Sequence, residues 1–302
     1  MERRSVLKNL GGLLLLPSLS FGEVIAKKRR SLRIAHITDV HLKDKFDAPA
    51  KFAKCLHHLQ KQSPKPDLIL NGGDFVFDMN KENIGTINAQ WNLVSSLYKS
   101  ECSIPTHACI GNHDIWWNEN DKGQAVYGKQ YALDRLQLTK PYHSFSQGGW
   151  KFIVLDSVHL DIDGTWYIGK LGDEQFAWLE SELKATNPNT PVLILSHIPI
   201  LTATNLVDDG VVNRWTMYGG DMHTDAAKLI RLFYRHPNVK LCLSGHIHLR
   251  ERLLYNNVTY ICNGAVCGAW WEGNKHETAP GYGLIDLYDD GSFDEQYINY
   301  LA

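Results

Sequence analysis

Seven short apolar runs, each of strand length and each ending at or just before a Gly, Asn, Asp, Ser or His, constrain this chain more than any other feature. They are 32–38 (LRIAHIT), 67–72 (DLILNG), 106–112 (THACIGN), 151–157 (KFIVLDS), 191–197 (PVLILSH), 239–246 (VKLCLSGH) and 258–264 (VTYICNG). Their near-continuous apolarity predicts strands covered on both faces. Helical patterns lie between many of them. Phe52, Cys55, Leu56 and Leu59 share one face, as do Trp91, Val94, Leu97 and Tyr98. Asp173 is placed to cap a helix carrying Phe176, Trp178, Leu179 and Leu183, and a further helix is expected from near Thr224. Strand–helix alternation predicts an α/β layered domain. Residues 282–301 alternate apolar and polar around Asp290-Gly291, which predicts a hairpin. The segments 115–130 and 199–222 read as loops over a site.

The first residues stand apart from this pattern. Arg3, Arg4 and Lys8 precede a short apolar run, Leu10 to Leu16, broken by Pro17. The run is too short to span a bilayer, so a signal peptide over 1–26 is expected and a stable membrane anchor is not; an amphipathic N-terminal helix is the alternative. Arg3-Arg4-Ser5-Val6-Leu7-Lys8 resembles a twin-arginine export signal, which implies the twin-arginine translocase as an export partner and a periplasmic or other extracytoplasmic destination. The remaining domain would span 27–302. A net charge of -2 argues against a nucleic-acid polymer as partner. Among six cysteines, Cys109, Cys242 and Cys262 sit in apolar runs and read as small buried hydrophobes. In an oxidising compartment Cys262 and Cys267 could pair.

The strand ends carry the chemistry. Asp39 and His41 follow the first run, Asp74 the second, Asn112 and His113 the third, His197 the fifth, and His246 and His248 the sixth. Ligands collect at the carboxyl ends of strands in α/β sheets. Each pair alone would pass for loop residues; together they form a carboxylate, carboxamide and imidazole set without cysteine, which suits Mn, Fe or Zn.

The series Asp39-x-His41, Gly73-Asp74, Gly111-Asn112-His113-Asp114, His197 and Gly245-His246-x-His248 resembles the calcineurin-like metallophosphoesterase superfamily over about residues 32–270. The resemblance implies a four-layer αββα sandwich and a binuclear centre of two divalent or mixed-valence ions. One ion would take Asp39, His41 and His248, the other Asn112, His197 and His246, and Asp74 would bridge them. A hydroxide between the ions would attack phosphorus. His113 would protonate the leaving oxygen or stabilise its charge. Asp114 would orient a ligand or cap the following helix.

Departures from the pattern narrow the substrate. Phe77 stands where purple acid phosphatases carry a tyrosine ligand. The run GDFVFDM lacks the Asp and Arg of protein Ser/Thr phosphatases, with Asp78 one place late. The compact motifs look more like bacterial cyclic-nucleotide phosphodiesterases. An exported phosphoesterase of small phosphate esters, diesters favoured, is therefore expected. The alternatives are a phosphomonoesterase or nucleotidase that scavenges phosphate, and a non-catalytic interaction protein. Trp116, Trp117, Trp270 and Trp271 are expected either to wall the substrate pocket or to pack the loops. Arg214 and Tyr218 are further substrate candidates, whereas His57, His58, His223 and His276 are not expected to be ligands.

Overall fold

A computed structural model describes residues 28–80, 82–117, 123, 126–161, 164, 166–204 and 217–302. The expected signal segment and Arg214 lie outside the described residues. Three parallel strands form the middle and one edge of the first sheet: β1 (Arg30–Ile37), β2 (Leu68–Asn71) and β3 (Thr106–Ala108). An antiparallel hairpin, β12 (Tyr282–Tyr288) and β13 (Phe293–Ile298), completes it on the far side of β1. That hairpin turns at Gly291, whose φ of 80° is the left-handed geometry its Asp-Gly signal predicts.

The second sheet is built around four parallel strands, β5 (Trp150–Val154), β8 (Val192–Leu195), β9 (Val239–Ser244) and β11 (Val258–Cys262). Antiparallel edge strands β4 (His143–Gln147) and β10 (Glu251–Tyr255) flank it. A small separate ribbon pairs β6 (Val158–Leu160) with β7 (Tyr167–Gly169), and a short helix, α3 (Gln130–Leu136), precedes β4.

Strand alternation explains the layers. On β1, Leu32 and Ile34 enter a core shared with Phe152, Val154, Leu193, Leu195, Leu241 and Leu243 of the second sheet. The intervening Ala35 and Ile37 face the other way, onto α1 (Ala48–Gln60) and α2 (Ile84–Glu101) through Phe52, Leu56, Leu59, Ile87 and Trp91. On the opposite side, Ile153, Val192 and Ile194 pack on Leu179 and Leu183 of α4 (Gly172–Ala185) and on Leu229 and Phe233 of α5 (Ala226–Tyr234). The result is helix, sheet, sheet, helix, the expected αββα arrangement.

Two details differ from expectation. Asp173 does not cap α4; Leu171 occupies that position, and Asp173 lies in the first turn, where a carboxylate still suits the helix dipole. The third apolar run stays in the sheet only to Ala108, because residues beyond it leave the sheet for a one-turn 3-10 helix at Asn112–Asp114. All six cysteines are free.

Candidate metal centre

Every strand end singled out by sequence arrives at one place. Asp39 and His41 leave β1, Asp74 leaves β2, and Asn112 follows β3; these belong to the first sheet. His197 leaves β8, and His246 and His248 leave β9; these belong to the second. The cluster therefore straddles the seam between the sheets.

Its backbone is unusual. Asp39, His41, Asp74, His246 and His248 all have φ between 45° and 73°. Left-handed geometry costs a non-glycine residue about 1–2 kcal/mol. The turns it makes bring Asp39 and His41, and likewise His246 and His248, to the same cluster. Such strain persists where the surroundings over-determine it, and it concentrates at functional sites.

Two sets of donor atoms share one carboxylate oxygen. His41 Nε2 lies 3.5 Å and His197 Nε2 3.3 Å from Asp74 Oδ2. On one side of that oxygen, His41 Nε2 faces His248 Nε2 at 3.1 Å, and His248 Nε2 lies 3.5 Å from Asp39 Oδ1. On the other, His197 Nε2 lies 2.9 Å from Asn112 Oδ1 and 3.2 Å from His246 Nδ1. The other oxygen of Asp74 accepts the His113 backbone N–H at 2.8 Å, which fixes the carboxylate plane.

The chemistry of this donor set fits a cation. His197 Nδ1 faces the Gly72 carbonyl at 2.7 Å, His248 Nδ1 that of Gly268 at 2.8 Å, and His41 Nδ1 that of Phe77 at 3.3 Å. Donating from Nδ1 leaves a lone pair on each Nε2, and these lone pairs converge with carboxylate and amide oxygens. Converging lone pairs repel unless a positive charge sits among them. In the protein alone protons partly take that place. Burial disfavours charge on His197, but Asp74 and Asp39 outweigh it and lift the imidazole to about 9. His41 and His246 are pushed down to about 3, chiefly by burial. Burial would raise the Asp74 pKa, but His197 and His113 hold it well below the usual carboxylate range. Cys267 also approaches His248, at 4.0 Å, but on the Nδ1 side, behind the ring face that turns to the cluster.

Asp114 has a clearer role than its sequence position indicates. It is fully buried, and its carboxylate accepts the backbone N–H groups of Asp74 (2.9 Å), Phe75 (2.8 Å), Val76 (3.3 Å) and Gly111 (3.0 Å). It thus clamps the β2 and β3 loops together and holds Asp74 in its left-handed turn. Burial and the Asp74 charge raise its pKa to about 7. Gly111 is required beside it, because a Cβ there would overlap Asp74 Oδ1.

His113 lines the cavity above the cluster, its ring 4.8 Å from that of His41. Asp78 Oδ1 lies 3.3 Å from His113 Nδ1, within ion-pair reach though off the hydrogen-bond line. Burial opposes charge on His113; Asp74 and Asp78 outweigh it and raise its pKa. Asp78, one place late in the protein phosphatase pattern, is thus a neighbour of His113 that spacing alone did not assign.

The four tryptophans separate. Trp270 lines the cavity, 3.9 Å from the His41 ring and 5.1 Å from that of His113. Trp271 is buried and donates its indole N–H to the His41 carbonyl at 2.9 Å, supporting a candidate ligand from behind. Trp116 is buried in the core under α1 and α2, and Trp117 packs against the same core. Tyr218 is exposed, and Tyr167, Asp221 and Lys275, which sequence reasoning did not single out, line the cavity. Nothing in the spacing of Tyr167 or Lys275 distinguishes them from ordinary loop residues.

Candidate metal ligands at the carboxyl ends of strands from both sheets of an αββα sandwich, together with the family match, make this chain a metal-dependent phosphoester hydrolase. The chain belongs to the calcineurin-like phosphoesterase family, whose profile matches residues 32–250. It is 29% identical over 276 residues to a 3',5'-cyclic-nucleotide phosphodiesterase of Nostoc sp., covering 87% of this chain and 90% of that protein. It is 24% identical over 272 residues to the 3',5'-cyclic adenosine monophosphate phosphodiesterase CpdA of Escherichia coli, covering 86% and 87%. Among solved structures, a dimetal phosphatase from Danio rerio aligns over 90% of this chain and all of that one, with a TM-score of 0.61 at 14% identity, a likeness of fold.

Proposed function

We propose that this protein is a binuclear-metal phosphodiesterase of small phosphate esters, with 3',5'-cyclic nucleotides the first class to test. The observation that carries the proposal is the pair of donor sets sharing Asp74 Oδ2. Asp39, His41 and His248 would hold one divalent or mixed-valence ion, Asn112, His197 and His246 the other. Such ions, when bound, supply Lewis acidity at phosphorus and lower the pKa of bound water.

The chain's own residues supply the rest. Asp114 and the His113 amide hold Asp74 in place. Trp271 supports the His41 carbonyl. His113 faces the leaving group and delivers a proton to it, with Asp78 stabilising the charged imidazole beforehand. The cavity of about 250 Å³ lies just below the ~300–1,000 Å³ usual for small-molecule pockets, which favours a compact ester over a polymer. The names of the relatives support the diester preference.

Protein loaded separately with Mn, Fe and Zn should hydrolyse bis(p-nitrophenyl) phosphate and 3',5'-cyclic AMP faster than p-nitrophenyl phosphate. A reversed preference would establish the phosphomonoesterase reading. Two bound metals with turnover of none of these esters would count against the phosphodiesterase reading. Export through the twin-arginine pathway is part of the proposal and rests on Arg3-Arg4. Lysine at both positions should leave precursor in the cytoplasm, whereas normal maturation in cells lacking that translocase would overturn it.

A further inference from the structure

Lys275 is a cationic residue of the cavity wall that neither the metal chemistry nor the general acid uses. Its side chain fronts the same cavity as His41, His113 and His248. Its backbone is pinned: the Lys275 N–H donates to the Thr278 carbonyl at 3.0 Å, and the Thr278 N–H returns the bond at 2.9 Å. Thr278 is itself tied to the loop that carries His248, accepting the Arg250 N–H at 3.2 Å. The root of the lysine side chain is therefore held relative to the candidate ligands.

Its charge is unanswered in a way that other sheltered lysines are not. Lys129 pairs with Asp156 at 2.6 Å, and Lys151 with Glu182 at 2.8 Å. Among the described residues, Lys275 meets no carboxylate within ion-pair distance. A half-buried lysine without a counter-ion among the described residues, on the wall of a cavity proposed to take anions, has an evident partner in the substrate. Lysine binds phosphate as a point charge, and a charge-assisted hydrogen bond is stronger than a neutral one.

We propose that Lys275 is a substrate-contact residue that binds a phosphoryl oxygen of the ester on the cavity wall. It would hold the anionic diester on entry and the phosphomonoester product before release. This rests on the phosphoesterase reading of the cavity, and the test separates the two.

The Mn-loaded full chain, wild type and the variants Lys275→Ala, Lys275→Arg and Lys275→Glu, would be titrated with inorganic phosphate by calorimetry. Losing a charge-assisted hydrogen bond should weaken binding about 10-fold in the alanine variant and further in the glutamate variant. The arginine variant should recover most of the loss, and the gap between wild type and alanine should narrow as salt rises. With bis(p-nitrophenyl) phosphate, the alanine variant should show a raised KM with little change in kcat. Equal phosphate affinity of wild type and Lys275→Ala, with equal metal content, would overturn the proposal. A wild type that binds phosphate and hydrolyses no ester would instead sink the phosphodiesterase reading, while the phosphate titration still decides Lys275.

Discussion

At the scale of single residues, the role proposed for His113 separates acid catalysis from metal holding. Its backbone N–H serves Asp74, whereas its ring faces the cavity. His113→Ala should therefore keep the bound metals. Loss of a general acid costs about 10²–10⁴-fold. That loss should be large with an alkyl phosphodiester and smaller with a p-nitrophenyl ester, whose leaving group departs without a proton. Equal losses on both substrates would mean that His113 positions phosphate instead; loss of metal would make it a ligand. Asp114 predicts the opposite pattern. Asp114→Ala leaves four backbone N–H groups without their acceptor and frees Asp74 from its turn. Burying unsatisfied donors costs about 1–3 kcal/mol each. The variant should lose metal and melt at a lower temperature, and elemental analysis showing full occupancy would refute the clamp.

At the scale of elements, the exposed edges of the two sheets meet through histidines. His107 on β3 stacks on Phe145 of β4 at 3.7 Å, and the His143 ring lies 6.4 Å from that of His107. Burial lowers the pKa of both imidazoles, and a charge on His107 would lower that of His143 further. The neutral forms are thus favoured in the fold. A group depressed in this way contributes fully above its unfolded value, about 6.5 for histidine, and its contribution fades as pH falls through that value toward the folded one. Thermal melts should accordingly show a drop between about pH 7 and pH 5 that is smaller in His143→Phe. An unchanged drop would place the acid sensitivity elsewhere.

At the scale of the whole molecule, the candidate ligands come from both sheets, so bound cations would staple the sandwich along its seam. A ligand at 100 times its Kd stabilises the native state by about 2.7 kcal/mol. Chelation should lower the melting temperature as well as abolish turnover, and re-addition of Mn should restore both. A melting temperature indifferent to chelator would show that the seam holds without metal.

The sequence by itself determined the layered α/β class, the major strands and helices, and the polar strand ends, because these are local patterns of apolarity, turn residues and ligand types. It did not reveal β4, β6, β7 or β10, whose short or mixed sequences alternate too weakly to be read alone. Nor did it tell Trp270 from Trp271: neighbours in sequence point to opposite sides, and a few ångströms divide cavity wall from buried support. Asp78, Asp114, Tyr167 and Lys275 reach the site from separate segments of the chain, Tyr167 from β7 and Asp114 from the 3-10 turn, and Asp173 misses its cap by two residues. Which side chains converge on the Asp74 carboxylate was decided only when two sheets packed face to face, since that contact joins strand ends as distant in sequence as Asp74 and His197.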